Sequence, residues 1–176
     1  MGKVQSTFMN MFPGQLSRES TGVIISLKNQ GTAAIKPGEP VFLSADGKGV
    51  TKTQQDSAFA SFVGIAARSA SATPDTYRVG NMYSDPYVHE YAADDPVDVI
   101  VEGCVVVELE NEMADAGGAV HVKLIDGTFT TEAVQYETIQ LTNCSWRRSA
   151  DLEDGCAEIV IKSRNITLAA VHFMCG

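Results

Sequence analysis

The sequence predicts an all-β protein, a small β-barrel or sandwich built from hairpins, with an extended N-terminal arm. Short runs rich in β-branched residues recur along the chain, and turn signals containing Gly or Pro separate them. Several of these runs alternate apolar and polar residues, as half-buried strands do. The 176 residues suffice for one well-buried core with appendages. We therefore expect an arm over residues 1–20 and one β-rich domain over residues 21–176.

The first predicted strands lie between residues 21 and 67. A polar cluster at residues 28–31 predicts a turn after the first of them. Pro37 and Pro40 exclude a helix in the next stretch, because proline removes a backbone donor and clashes with the preceding turn. The Asp46-Gly47 pair then predicts a tight hairpin. The strands predicted in this part of the chain are residues 21–27, 40–43, 50–51 and 59–67.

The same hairpin contains Gly47-Lys48-Gly49, which could be taken for a phosphate loop. A phosphate loop needs an upstream glycine, a fixed spacing and a following helix, so that successive backbone N–H groups converge on one anion. None of these accompanies the tripeptide, which we interpret as a turn.

The strongest β signal is residues 97–109, where alternation gives way to an apolar run and Gly103 predicts a bulge or bend. Residues 119–125 alternate cleanly, Asp126-Gly127 is a second hairpin signal, and residues 128–131 return. The C-terminal strands, within residues 138–173, are expected to form a sub-layer on the core or to close the barrel. Their predicted bounds are 138–141, 157–162 and 166–173.

Composition limits the possible partners. The formal net charge is −9 and the pI is about 4.7, so the average surface repels phosphates, and we expect no direct nucleic-acid binding. No apolar run approaches the roughly 20 residues that span a bilayer, and the N-terminus lacks the apolar segment of a signal peptide. We expect folding in a reducing cytosol and no membrane partner. Cys104 and Cys175 are then small buried hydrophobes.

The sequence offers no constellation for catalysis, and we predict no catalytic residue, no metal site and no cofactor. His121 shares a strand face with Lys123, which predicts a solvated position, and His172 lies in an apolar run. A small hydrolase would need His89 and Glu90 to converge with a Ser or Asp. The acidic clusters are interpreted as solvated turns.

Two groups of residues are candidates for an interface with a neighbouring subunit or another partner. The first, in the arm, is Phe8, Met9, Met11 and Phe12, which either fold back on their own core or dock on a neighbouring subunit.

The second group is Trp146, Arg147 and Arg148, because Trp and Arg dominate interface hot spots. In the alternative interpretation Trp146 closes the barrel end while the arginines pair with Asp151 and Glu153.

Four stretches occur in the order found in the structural cement, or head decoration, proteins of tailed bacteriophages, and the chain resembles that family over residues 35–131. After Gln140 the resemblance ends. The stretches are IKPGEPVFLSADGKGV (residues 35–50), FVGIA (62–66), VDVIVEGCVVVEL (97–109) and AGGAVHVKLIDGTFT (116–130).

The resemblance implies a non-enzymatic protein that binds the outside of an assembled capsid as an oligomer, a dimer or trimer, and stiffens the shell. Its partner would be the major capsid protein, and its location the virion exterior after assembly in the bacterial host cytoplasm. The alternative function is a β-rich module of the virion that binds carbohydrate or the host surface. Its platform would be exposed aromatic residues, Tyr83, Tyr87, Tyr91 and Trp146.

Overall fold

The structure of the protein, a computed structural model, describes residues 12–17, 21–52, 62–68, 90–109, 112–150 and 155–163. These residues form ten strands and no helix, which confirms the predicted all-β fold. The strands are β1 (Val23–Asn29), β2 (Pro40–Leu43), β3 (Gly49–Thr51), β4 (Phe62–Ala66), β5 (Pro96–Glu108), β6 (His121–Lys123), β7 (Phe129–Thr130), β8 (Thr138–Gln140), β9 (Cys144–Trp146) and β10 (Cys156–Ile161).

Five strands form a closed barrel in the order β1-β3-β2-β4-β5, and β5 pairs back with β1. Neighbouring strands are antiparallel, except that β1 and β3 run parallel with Lys28 opposite Gly49. The closing β1–β5 ladder runs from Val23 opposite Glu102 to Lys28 opposite Pro96. Closure leaves the barrel without a free strand edge. Of the C-terminal strands, which were expected to form a sub-layer or to close the barrel, β8 and β10 lie outside it, and the predicted strand 166–173 lies outside the described residues.

Strand β5 is 13 residues long and belongs to two sheets. Up to Glu102 it pairs with β1, and from Gly103 it pairs with β10, which in turn pairs with β9. Gly103 has a φ of +124°, and a Cβ there would lie 2.9 Å from the Cα of Gly22. Only glycine accommodates both this dihedral angle and this close approach. The irregularity predicted at Gly103 is confirmed, and it marks the point where the strand changes partner.

A third, small sheet has the order β7-β6-β8. The predicted hairpin joins β6 to β7: the Gly127 N–H donates to the Lys123 carbonyl at 2.9 Å, and the Asp126 carboxylate accepts from the Thr128 N–H at 2.9 Å. The turn before β8 is closed by Thr138, whose N–H donates to the Val134 carbonyl at 3.0 Å.

Buried side chains form two clusters that share the barrel wall. The first fills the barrel and includes Val97 and Val99 of β5. The second lies outside the barrel, where Ile100 of the same strand joins Val105 and Ile159. Successive residues of a strand point to opposite faces, so β5 contributes to both clusters. Since the second cluster unites the barrel wall with the two other sheets, the described residues pack as one body.

Candidate interaction surface

The described part of the N-terminal arm is attached to its own chain. Residues 14–17 run along the free edge of the second half of β5, where the Gly14 N–H donates to the Val106 carbonyl at 2.8 Å and the Ser17 N–H donates to the Cys104 carbonyl at 2.9 Å. The guanidinium of Arg68 lies 4.5 Å from the ring centroid of Phe12, a cation–π contact. Residues 12–17, Phe12 included, therefore lie against their own chain, while Phe8, Met9 and Met11 lie outside the described residues. The interface role of the arm stays a prediction.

Trp146 is a core residue. Its side chain is 1% exposed and belongs to the cluster between the barrel wall and the other sheets, not to the end of the barrel. Because its indole ring is buried, Trp146 cannot contact a partner directly. If residues 146–148 form an interface, Trp146 contributes by holding β9 in place.

Arg147 and Arg148 pair with Glu158 of β10, whose side chain is 8% exposed. The Arg147 Nη1 lies 3.5 Å and the Arg148 Nε 3.4 Å from Glu158 Oε2, and Arg147 also donates to the Ser17 hydroxyl at 2.7 Å. A buried carboxylate requires such cationic partners. The predicted partners Asp151 and Glu153 lie outside the described residues. The interface role of the arginines stays a prediction, and Arg148, 62% exposed, has the surface for it.

The Gly-Lys-Gly turn is organised by its own side chains. The Asp46 carboxylate accepts from the Lys48 N–H at 3.0 Å, from the Ser44 hydroxyl at 2.7 Å and from Gln30 at 2.9 Å. These hydrogen bonds, the Lys48 N–H first, lower the pKa of Asp46 to about 2. The Lys48 N–H, which an anion would need as a donor, is already hydrogen-bonded to the Asp46 carboxylate. The interpretation as a turn is therefore confirmed.

His121 and Cys144, two titratable residues in the second half of the chain, are both buried. His121 is 7% exposed, so the predicted solvated position is wrong; the Cα of Thr130 lies opposite it in the small sheet. Burial raises the pKa of the Cys144 thiol to about 12, which makes this thiol unreactive at neutral pH.

Within the described ranges, no group of three His, Cys, Asp or Glu side chains could hold a metal ion. His89 and His172 lie outside these ranges.

Glu112 ties the segment before β6 to the end of β7. Its carboxylate accepts from the Thr131 N–H at 2.6 Å and from the hydroxyls of Thr130 and Thr131 at 2.8 and 3.0 Å. Burial opposes ionisation, but these hydrogen bonds outweigh it and lower the pKa of Glu112. The cluster is a structural clamp, and it positions one edge of the small sheet.

Two of the four aromatic residues proposed as a platform for carbohydrate binding are buried. Tyr91 is 3% exposed and its hydroxyl donates to the Ala67 carbonyl at 2.7 Å, and Trp146 is buried as described above. Neither has the exposed face that such a platform would require. Tyr83 and Tyr87 lie outside the described residues.

The small sheet carries an open groove that the sequence does not predict. The groove has a volume of about 540 Å³ and lies between the β6–β7 hairpin and the turn before β8. Ile125 on the hairpin and Tyr136 on the turn line it and are 87% and 88% exposed. The available signals were weak: an isolated tyrosine in the polar stretch TEAVQYET, and an isoleucine directly before a turn. Neither distinguishes an exposed side chain from a buried one.

Comparison with known proteins identifies the family. The family model described as "Structural cement protein (E217 gp24/Pam3 gp6)" matches residues 3–162. The chain belongs to the structural cement protein family. The resemblance noted over residues 35–131 is confirmed, and the family match extends it to the N-terminal arm and to β10.

The fold of this cement protein also occurs among solved structures. A chain from "The capsid of Myoviridae Phage XM1" matches with a TM-score of 0.65 and 15% sequence identity, covering 91% of this chain and 95% of that chain. A search of curated proteins finds no significant match. The described part of the chain contains no helix long and apolar enough to cross a membrane.

Proposed function

We propose that this cement protein binds the outer surface of an assembled phage capsid and stabilises the shell without catalysing a reaction. The observation that carries the proposal is the family match over residues 3–162, which covers nearly the whole chain. A capsid structure containing a chain of the same fold supports the association with capsids.

The arrangement of the described residues supports a scaffold rather than an enzyme. The barrel has no free edge, and its wall and the other two sheets share one core. The polar clusters around Asp46 and Glu112 are saturated by hydrogen bonds from neighbouring residues of the same chain. Groups committed in this way hold turns in place and are not free to act on a substrate.

The proposed partners are the major capsid protein and further copies of this chain, in a dimer or trimer on the virion exterior. Phe8, Met9 and Met11 precede the attached segment 12–17 and are the proposed residues for contact with a neighbouring subunit. Binding at many equivalent capsid positions adds avidity, so each contact can be modest. The net charge of −9 disfavours contact with packaged DNA and agrees with an outer location. Assembly would take place in the bacterial host cytoplasm.

The test compares capsids with and without the protein. Purified protein is mixed with capsids assembled without it, and bound protein is measured by co-sedimentation. The temperature at which the capsids rupture is then measured by calorimetry. We expect saturable binding and a higher rupture temperature. Unchanged heat stability at saturating protein would refute the stabilising role.

Two truncations distinguish a contribution of the arm to capsid binding from a contribution to folding. Removing residues 1–11 leaves the contacts of residues 12–17 with β5 intact, whereas removing residues 1–17 also deletes those contacts. If the arm contacts a neighbour, the shorter truncation should weaken capsid binding without lowering the melting temperature of the free protein. Unchanged binding would place the interface outside residues 1–11.

A further inference from the structure

The exposed apolar side chains of the described residues concentrate on the small sheet and its connections. Of the five large hydrophobic residues that are exposed there, Met113, Ile125, Val134 and Tyr136 lie between residues 113 and 136, and only Ile24 lies on the barrel. Single exposed apolar residues are ordinary, but several grouped on one part of a surface indicate an interaction site.

Three of these side chains, Ile125, Val134 and Tyr136, line the groove described above. Lys123 and Thr138, which lie opposite each other on β6 and β8, also line it. The groove therefore combines apolar walls with a lysine and a hydroxyl, the mixture that protein-binding sites use for contact area and orientation.

Tyr136 occupies this position at a cost to the backbone. Its φ is +67°, in the left-handed region that glycine or asparagine occupies more readily than tyrosine. Because the Tyr136 side chain is 88% exposed, burial within its own chain does not offset this strain. Strained backbone that is retained under an exposed aromatic side chain is typical of binding sites, where tyrosine is a frequent hot spot.

Charge indicates the chemistry of the occupant. Residues 112–140 contain five carboxylates (Glu112, Asp115, Asp126, Glu132 and Glu137) and one lysine, Lys123. Glu132 and Glu137 line the groove itself. A second copy of the chain would bring the same acidic region against this one, which like-charge repulsion disfavours. A segment that carries Lys or Arg beside an apolar side chain is complementary.

We infer that this groove is the surface by which the cement protein docks on the capsid, where it takes a segment of the major capsid protein with an apolar side chain next to Lys or Arg. The inference rests on the proposed function. Tyr136 and Ile125 supply the apolar contact, and the carboxylates of Glu132 and Glu137 attract the basic side chain.

The test uses two variants and two matched controls in the full chain, each titrated against capsids assembled without the protein. Tyr136→Gly removes the ring and relieves the positive φ, and Ile125→Ser removes the other exposed side chain. Asp94→Gly relieves the other non-glycine positive φ of the described residues, 71°, on a turn next to the barrel. Ile24→Ser removes the exposed apolar side chain of the barrel.

We expect Tyr136→Gly and Ile125→Ser each to weaken capsid binding about tenfold or more, the range of interface hot spots. Both controls should bind as the unmodified chain does. Tyr136→Gly should melt at or above the temperature of the unmodified chain, which separates lost contact from lost folding. Binding should also weaken with added salt, since opposite charges attract across the contact.

Three results would overturn the inference. If the unmodified chain binds and both groove variants bind equally well, the docking surface lies elsewhere and the proposed function stands. If Tyr136→Gly instead converts an oligomer of the free protein into a monomer, the occupant is a second copy. If the unmodified chain does not bind capsids at all, the proposed function fails together with the inference.

Discussion

Replacing Asn29 by alanine should destabilise the protein by about 2–3 kcal/mol. Asn29 ends β1, and its side chain is completely buried. Its Nδ2 donates to the carbonyl oxygens of Ala33 at 3.0 Å, Tyr91 at 3.2 Å and Ala92 at 3.1 Å, and its Oδ1 accepts from the Gly31 N–H at 3.0 Å. One amide thus joins the turn after β1 to the segment that leads into β5.

The magnitude follows from the groups that the substitution leaves unpaired. The Tyr91 carbonyl still accepts from the Ile35 N–H, and the Ala92 carbonyl from the Asp95 N–H. The Ala33 carbonyl and the Gly31 N–H lose their hydrogen bonds to Asn29. An unsatisfied buried group costs about 1–3 kcal/mol. Because water reaches this partly exposed turn, each of the two groups costs about 1–1.5 kcal/mol, which gives a total of about 2–3 kcal/mol.

The assay is urea unfolding followed by the fluorescence of Trp146, the one tryptophan of the chain, whose burial makes its emission a reporter of the folded core. Asn143→Ala is the matched control, because Asn143 donates one hydrogen bond, to the Ser163 carbonyl, at an exposed position. If Asn29→Ala costs no more free energy of unfolding than Asn143→Ala, the reasoning is refuted.

A second variant tests the direction of the hydrogen bonds at Asn29. Asn29→Asp keeps the size of the side chain and the acceptor for Gly31, but places a carboxylate against carbonyl oxygens. These oxygens and burial disfavour the charged form, so the pKa of the new carboxyl rises on folding. Its destabilisation should therefore grow as the pH rises from about 4 to 7. A destabilisation independent of pH would contradict the described orientation of the amide.

Three further outcomes are expected. Because hydrogen bonds lower the pKa of Glu112, its contribution to stability is lost as the pH falls below the ordinary glutamate value of 4.5, and Glu112→Gln should flatten the pH dependence of unfolding on the acid side of that value. Gly103→Ala should cost about 2–3 kcal/mol in urea unfolding, more than Gly117→Ala, which shares a positive φ but has open space. Cys144 should resist alkylation at neutral pH until urea unfolds the chain; rapid labelling of the folded protein would contradict its burial.

Local patterns in the sequence predicted most of the strands. Alternation and β-branched residues identified β5, and the Asp46-Gly47 and Asp126-Gly127 pairs located two hairpins, because these signals act over a few residues. The pairing of β1 with β5 joins residues some seventy positions apart, and periodicity carries no information about such a contact. Strand β9 was missed because three residues are too few for a period to be recognised.

Burial of polar and aromatic residues was the harder part of the prediction. Asn29 was assigned to a polar turn because composition gives polarity, whereas its burial depends on four backbone groups supplied by the folded chain. Tryptophan is a residue type common in interface hot spots, but Trp146 lies in the core. The groove around Tyr136 depends on how the hairpin and the turn are placed relative to each other, which no single stretch of sequence encodes.

The shared strand β5 has a mechanical consequence. Because one continuous backbone belongs to both the barrel and the second sheet, a force applied to either end passes along covalent bonds instead of across a side-chain contact. Separating the two halves would require breaking either the ladder of β5 with β10 or its ladders with β1 and β4, not simply pulling two surfaces apart. The barrel and the second sheet are therefore coupled through the backbone of β5 itself.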